Sequence, residues 1–482
     1  MVTGVHDVVI VGYGPVGAVL ANLLGQAGLD VVVVEPALDV YHLPRAAHFD
    51  DEVMRVFQSV GLAEAVLPHT TPVLGMDFVT ADGDVLFGFS SADRPKRHGW
   101  EAGYMFHQPG LERALRAGVE RFPTVDVRLG HEVVGLDADA ADAAEVQVRA
   151  LARGVETSVA ARYVVGCDGA RSFVRRSLGV GLDDQGFDQP WLVVDAILRD
   201  DATCPLPERV LQICDPARPG TFVPMPGRHR RWELMSMGET AEELLEPATI
   251  ARLQKPWVTV GSDVDLDRAA VYSFHALVAD EWRRGRVLLA GDAAHQMPPF
   301  LGQGMCSGIR DAANVAWKLR MVLDGRADEA LLDTYQPERE PHVRAITELA
   351  VALGGILQTT DPEVAAARDE GFRAGGGGAA PDAGLPPLGG DLCFGDAPSV
   401  GRPFPQPVLG ADAELGDGWS VVGPLAEHAG IRSLGGRAVV RPDGPTTVVR
   451  PDRYTYAEVR TDADLAEAMA ALHVAIAPAP GQ

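Results

Sequence analysis

The chain has 482 residues, beyond the roughly 250–300 at which one hydrophobic core stops growing, so more than one domain is expected. Hydrophobic residues at 46% and charged residues at 23% exclude a disordered or fibrous chain. The formal charge of 42 − 67 = −25 sets it against nucleic acid and the anionic face of a membrane, so neither is an expected partner.

The first element in chain order is a β-branched run from Asp7 to Val11, followed by helical composition from Pro15 to Gln26 and a second apolar run from Asp30 to Glu35. That is a βαβ opening. The apolar start lacks a basic leader and is broken by Gly12, Gly14, Pro15 and Gly17, so it does not read as a signal peptide. No other segment reaches the ~20 unbroken apolar residues of a membrane span. The five cysteines, Cys167, Cys204, Cys214, Cys306 and Cys393, have neither C-x-x-C nor metal-ligand spacing. Disulfides and a bound metal are therefore not expected, and the cytoplasm is the expected compartment.

From about Thr70 to Asp200 the pattern is strand-like, with one helix from Gln108 to Arg121 carried by Leu111, Leu115 and Val119. Strands continue through Val210 to Met237. This middle part predicts a β-sheet inserted between nucleotide-binding segments, at roughly 70–105 and 185–275. Arg286 to Leu289 reads as a buried strand, and Gln303 to Leu323 as the longest helix, with Ile309, Ala312, Ala316 and Leu319 on one face. Ala374 to Gly390 is Gly/Ala/Pro-rich, and 351–400 is read as a linker before a small terminal domain, 401–482. The acidic runs Asp137 to Glu145 and Asp462 to Glu467 read as solvated surface.

Three stretches carry chemistry. In Gly12-Tyr13-Gly14-Pro15-Val16-Gly17, Gly12 permits a tight turn, Gly14 lets a pyrophosphate approach the backbone, and Gly17 lets helix and strand pack closely. The following helix N-terminus offers unpaired N–H groups to phosphate. Glu35 is suited to a ribose diol and disfavours a 2′-phosphate, which points to FAD or NAD and leaves the two undivided. The second stretch runs Gly291-Asp292-Ala293-Ala294-His295, then Pro298-Pro299-Phe300, then Gly302-Gln303-Gly304-Met305 into the long helix. A carboxylate at a strand end can hold a polyol, the glycines admit a flat ring, and the helix dipole favours negative charge at a reduced flavin. NAD has no ribitol. His295 reads as a turn residue rather than a base. The third stretch is Cys167-Asp168-Gly169-Ala170-Arg171-Ser172, where Asp-Gly is also an ordinary turn dipeptide.

Together these stretches resemble the fingerprints of the FAD-dependent aromatic hydroxylases, the para-hydroxybenzoate hydroxylase class. The runs Leu43 to Glu52, His107-Gln108-Pro109, Trp191 to Asp195 and Gly291 to Leu319 are similar to the 3-(3-hydroxyphenyl)propionate hydroxylase branch, over about residues 5 to 350. The resemblance implies an α/β fold: a Rossmann-like FAD-binding domain over 1–350, the inserted β-sheet substrate domain, and a small C-terminal thioredoxin-like α/β domain without C-x-x-C. It implies noncovalent FAD held by Gly12, Gly14, Pro15, Val16, Gly17, Glu35, Arg45, Gln108, Asp168, Gly291, Asp292, Pro299, Gly302, Gln303, Gly304 and Met305. Pro299, His48, Trp191 and Phe300 would form a pocket for a small phenol, with the Pro299 carbonyl facing its hydroxyl. NAD(P)H and dioxygen would be co-substrates, and a flavin C4a-hydroperoxide would deliver oxygen to the ring. No side chain is singled out as catalytic, and self-association stays open. A flavin halogenase would share the glycine motif, but W-x-W-x-I-P is absent. A flavin-binding sensor or scaffold would need no substrate cavity.

Overall fold

The computed structural model describes residues 4–42, 45–91, 94–137, 144–200, 202, 204–375, 384–428 and 430–476. Leu43, Pro44, most of the Asp137 to Glu145 run and the centre of the Ala374 to Gly390 stretch lie outside them. The opening folds as read: strand His6–Val11, helix α1 (Pro15–Gln26) and strand Val31–Glu35. The two strands pair in parallel, and the sheet continues through Val125–Leu129 on one side and through Val155–Gly166 and Val287–Leu289 on the other. Val8, Val9, Ile10, Val31, Val32 and Val33 are fully buried, as expected of strands covered on both faces. Their carboxyl ends open onto one crevice, where an open parallel sheet binds ligands.

Helix α2 (Gln108–Val119) packs beside α1, with Asn22 donating to the Leu115 carbonyl across 2.9 Å. Helix α3 (Gly304–Leu323) crosses α1 at the mouth of the crevice. Close approach there depends on Gly308, where a Cβ would lie 2.6 Å from Val16 Cγ2 and 2.9 Å from Gly291 Cα.

The inserted part is an eight-stranded sheet whose centre runs Val264–Ala279, Leu182–Leu198, His229–Met235, Gly220–Val223, Val210–Ile213 and Gly75–Val79. Strand alternation sends Trp232 and Phe222 to one face, into a cluster with Val258 and Val264. Arg231, Glu233, Thr221, Val223, Val210 and Gln212 point to the other, which floors a cavity.

The region read as a linker differs. Helix α4 spans Tyr335–Leu357 and α5 spans Pro362–Ala374, so 351–374 is largely helical. Gly354 within α4 is a packing site: a Cβ there would lie 2.5 Å from the Phe300 ring. The helix tolerates the glycine because that ring fills its place.

The terminal unit has a four-stranded sheet in the order Arg437–Val440, Ser420–Gly423, Thr446–Val449, Thr455–Val459, closed by helix α6 (Asp462–Ile476). Only the first pair is parallel. Buried ions join this unit to the rest. Arg450 donates to Glu338 across 2.6 Å, Arg55 to Asp412 across 2.6 Å, and the Tyr454 hydroxyl to Glu52. Among the described residues, no helix is long and apolar enough to cross a membrane.

Candidate active site

The crevice and the inserted sheet enclose one cavity of about 870 Å³, near the upper end of small-ligand sites. At its dinucleotide end Gly12 adopts φ +99°, and a Cβ there would meet the Cys167 carbonyl oxygen at 2.5 Å. At Gly17 a Cβ would meet Gly12 O at 2.1 Å, so strand and helix pack at glycine distance. Gly14 is the reverse case. Nothing lies within 4 Å of its missing Cβ, and as N-cap of α1 it leaves that helix end without a side-chain cap. Glu35 stands at the end of its strand, accepting from Tyr13 N at 2.8 Å and Ala37 N at 2.9 Å. Each carboxylate oxygen keeps capacity for a ribose hydroxyl.

At the other end Asp292 sits on the tight turn Gly291–Ala293 and is open to the cavity. The enclosing walls raise its carboxyl pKa, against the pull of His295 and Arg45. The turn is fixed from below: Asp311 accepts from Gly291 N at 3.1 Å, from His295 Nε2 at 2.6 Å and from Arg339 Nε at 2.9 Å. His295 is 1% exposed and does not line the cavity, in keeping with a structural role. Gly302 takes φ +63°, and Gly304 and Met305 of the first turn of α3 line the wall. That turn contains no acidic residue and no side-chain cap, so a second helix dipole faces the same space.

Several of the expected contact residues also spend polar atoms within the protein. Gln108 lines the cavity, but its Oε1 accepts from the amides of Arg45 and Ala46 at 2.6 and 2.8 Å, and its Nε2 donates to Glu112. It shapes the loop that presents Arg45, whose guanidinium stacks on Tyr41 at the mouth. Asp168 spends its carboxylate on Ser172 Oγ and Val174 N, capping the helix Phe173–Ser177. Gln303 turns away, bonded to Asp50 and Arg310. Trp191 is 0% exposed and stands behind the wall, edge-on to Phe300, which does reach the cavity.

His48 is wedged between two glycines. Its Nδ1 lies 3.4 Å from the Gly302 carbonyl, and a Cβ on Gly103 would lie 2.6 Å from its Nε2. Burial lowers its pKa, which keeps the ring neutral. Pro299 lines the cavity, and its carbonyl accepts from Gly302 N at 2.8 Å, leaving one lone pair. Sequence reasoning missed the sheet floor, Met76, Val210, Gln212, Thr221, Val223, Arg231 and Glu233, and Met105 on a neighbouring three-stranded sheet. The available signal was a polar residue at every second place in short apolar strands.

A family model described as FAD binding domain matches residues 5–350. The chain is 43% identical over 459 residues to a probable NADH-specific resorcinol 4-hydroxylase of Rhodococcus jostii (strain RHA1), covering 90% of this chain and 84% of that protein. It is also 43% identical over 366 residues to a 3-(3-hydroxy-phenyl)propionate/3-hydroxycinnamic acid hydroxylase of Mycobacterium sp. (strain JLS), covering 76% of this chain and 62% of that one. The chain thus spans less than two thirds of the length of the latter. Among solved structures it resembles aklavinone-11 hydroxylase in complex with FAD and aklavinone, with TM-score 0.83 and 23% identity over 99% of this chain and 100% of that one. That likeness shows the fold.

Proposed function

The chain belongs to this FAD-binding-domain family of FAD-dependent aromatic hydroxylases, and we propose that it hydroxylates a small phenol using NADH and dioxygen. The observation that carries the reading is the cavity itself. Two uncapped helix N-termini and the exposed Asp292 open into one space that continues over an apolar sheet floor.

These residues fit FAD. The open backbone at Gly14 and the N–H groups of α1 suit the pyrophosphate, with Glu35 at the adenosine ribose and Arg45 near the phosphates. Asp292 suits the ribitol, and Gly302, Gly304 and Met305 suit the ring system. FAD, when bound there, supplies the electron transfer and oxygen activation that amino-acid side chains lack.

The chain's own contribution is positioning and dryness. Met76, Met105, Val210, Val223, Phe274 and Phe300 line the phenol compartment and limit water around the reacting ring. The remaining lone pair of the Pro299 carbonyl accepts the phenol O–H, which fixes the ring and enriches its ortho and para carbons. His48 stays neutral beside it and cannot compete as a cation. The strand order of the terminal unit, its parallel first pair and its closing helix support a thioredoxin-like reading of residues 401–482, without redox chemistry in the absence of C-x-x-C.

The test is NADH oxidation by purified, FAD-loaded protein across a phenol panel under labelled dioxygen. A product heavier by one labelled oxygen at an ortho or para carbon is expected. If no phenol accelerates NADH oxidation, the reading fails.

A further inference from the structure

Three adjacent strands of the sheet floor place polar side chains in one row. Glu233 pairs with Thr221, and Thr221 with Gln212, directly across neighbouring strands. Directly opposed residues of neighbouring strands point to the same face, so all three project from the same side. All three line the cavity. Val193 flanks the row at one end, beyond Glu233, and Phe78 at the other, beyond Gln212. Polar groups on an otherwise apolar floor orient a ligand rather than build a core.

The hydrogen bonds within the row are incomplete. Thr221 Oγ1 donates to Gln212 Oε1 at 2.7 Å, so Gln212 turns its amide nitrogen outward. That nitrogen has only a weak contact, Met76 Sδ at 3.4 Å. Among the described residues, no hydrogen bond reaches either carboxyl oxygen of Glu233, and its nearest ionic neighbour is Arg231 at 3.7 Å. Arg231 donates to Asp195 at 2.7 and 3.2 Å and its third nitrogen donates to the Arg45 carbonyl, while Arg268 lies 3.7 Å from the same Asp195. The row thus offers an acceptor without a hydrogen bond among the described residues, Glu233, and a donor, Gln212, in a cluster whose two arginines, Arg231 and Arg268, are matched by two carboxylates, Asp195 and Glu233, with no cation in surplus.

We propose that Glu233 and Gln212 select a phenol carrying a second hydroxyl and no carboxylate, the second hydroxyl donating to Glu233. The inference rests on the hydroxylase reading above and deepens it. A ring bearing a carboxylate side chain would bring its charge toward Glu233 with no cation to pair it, which like-charge repulsion and desolvation both oppose. A hydroxyl is the complementary group, because a buried acceptor left unpaired is costly. Burial raises the pKa of the Glu233 carboxyl, and Arg231 and Arg268 oppose that shift.

The experiment uses FAD-loaded protein, with flavin content confirming that each variant is folded. Resorcinol, phenol and 3-(3-hydroxyphenyl)propionate are compared by calorimetric binding and by kcat/KM for product formation. The wild type should favour resorcinol over both others by about tenfold or more. Glu233→Val should lower binding and kcat/KM for resorcinol far more than for phenol, which brings that preference to near unity. Glu233→Gln, the conservative variant, should keep resorcinol binding within a few-fold and narrow the gap to the carboxylate. Better binding and turnover of the carboxylate by the wild type, or an unchanged resorcinol-to-phenol ratio in Glu233→Val, would overturn the assignment while leaving the hydroxylase reading intact. If none of the three is oxygenated and none binds, both fall together.

Discussion

Replacing Arg450 by Met should loosen the attachment of the terminal unit by an amount the structure lets one bound. Arg450 is fully buried and donates to Glu338 at 2.6 Å and to Asp452 at 2.8 and 3.0 Å. Glu338, also fully buried, otherwise has Lys318 at 2.8 Å and Asn314 at 2.8 Å. Removing the guanidinium leaves two carboxylates facing one ammonium. Breaking a buried pair from one side costs about 3–5 kcal/mol, against a total stability of about 5–15 kcal/mol. Met keeps much of the stem's apolar packing against Trp317, so the loss is electrostatic in the main. Arg450 and Lys318 hold the Glu338 carboxyl down at about 2. A depressed acid contributes stability above its unfolded pKa, near 4.5, and loses it as pH falls toward the folded value. The variant should therefore melt well below the wild type at pH 7, and the gap should shrink toward pH 3. Differential scanning fluorimetry over that range measures both. Equal melting temperatures at pH 7, or a gap independent of pH, would refute the reasoning that this cluster clamps the unit in place.

Four further outcomes are expected. Gly17→Ala should abolish or strongly weaken FAD retention, because its Cβ cannot sit 2.1 Å from the Gly12 carbonyl without moving the phosphate loop; overpacking of this kind costs about 1–3 kcal/mol, read as flavin lost on gel filtration. Asp292→Ala should weaken FAD by about 2 kcal/mol, some 30-fold in Kd by fluorescence titration, while Asp168→Ala should lower thermal stability more than flavin affinity, because its carboxylate caps a helix. His342 accepts from Arg339 at 2.9 Å, and burial holds its pKa well below the ordinary 6.5. As pH falls below 6.5 the unfolded chain takes up a proton that the folded chain refuses, so stability should fall, with a shallower slope in His342→Gln. Deleting 401–476 should yield insoluble protein, because Glu52, Arg55 and Glu338 would lose buried partners; a soluble, yellow truncation would contradict this.

How much of this was legible in the sequence depended on how local each signal was. The opening strand, α1 and the second strand were readable because the Gly12-Gly14-Gly17 motif, Pro15 and two unbroken runs of β-branched residues lie within thirty residues. The bounds of α1 coincide with the reading. The long helix was readable for the same reason, although it starts at Gly304 rather than Gln303. Long-range roles were not. Gln108 looked like a cofactor ligand, yet its amide serves a loop sixty-odd residues earlier. Trp191 looked like a pocket wall, but an aromatic ring in a strand does not announce which ring will stand in front of it. The linker reading, drawn from the Gly/Ala/Pro-rich Ala374 to Gly390 stretch, was carried back too far, because 351–374 is largely helix. The sheet floor escaped because Gln212, Thr221 and Glu233 lie on three separate strands, and only strand register brings them into line.

That register also accounts for how one cavity in a chain of net charge −25 can receive both a diphosphate and a neutral arene. Arg45, Arg116, Arg171 and Arg176 line the cavity with the dinucleotide residues, where the dipole of α1 adds to them. On the sheet floor, Arg231 is matched by Asp195, and Glu233 stands without a hydrogen bond among the described residues. Acidic residues, among them Glu35, Glu112 and Asp292, line the same cavity, so the place of the phosphates is marked by the local N–H groups and dipole of α1 rather than by net charge. An elongated ligand with phosphates at one end and a flat ring at the other is held in a single direction by those local donors. The second ligand then meets the ring end, where an anion would be penalised. Changing Glu233 alters the ring end without touching the phosphate end, which is why substrate choice and cofactor affinity should separate in its variants.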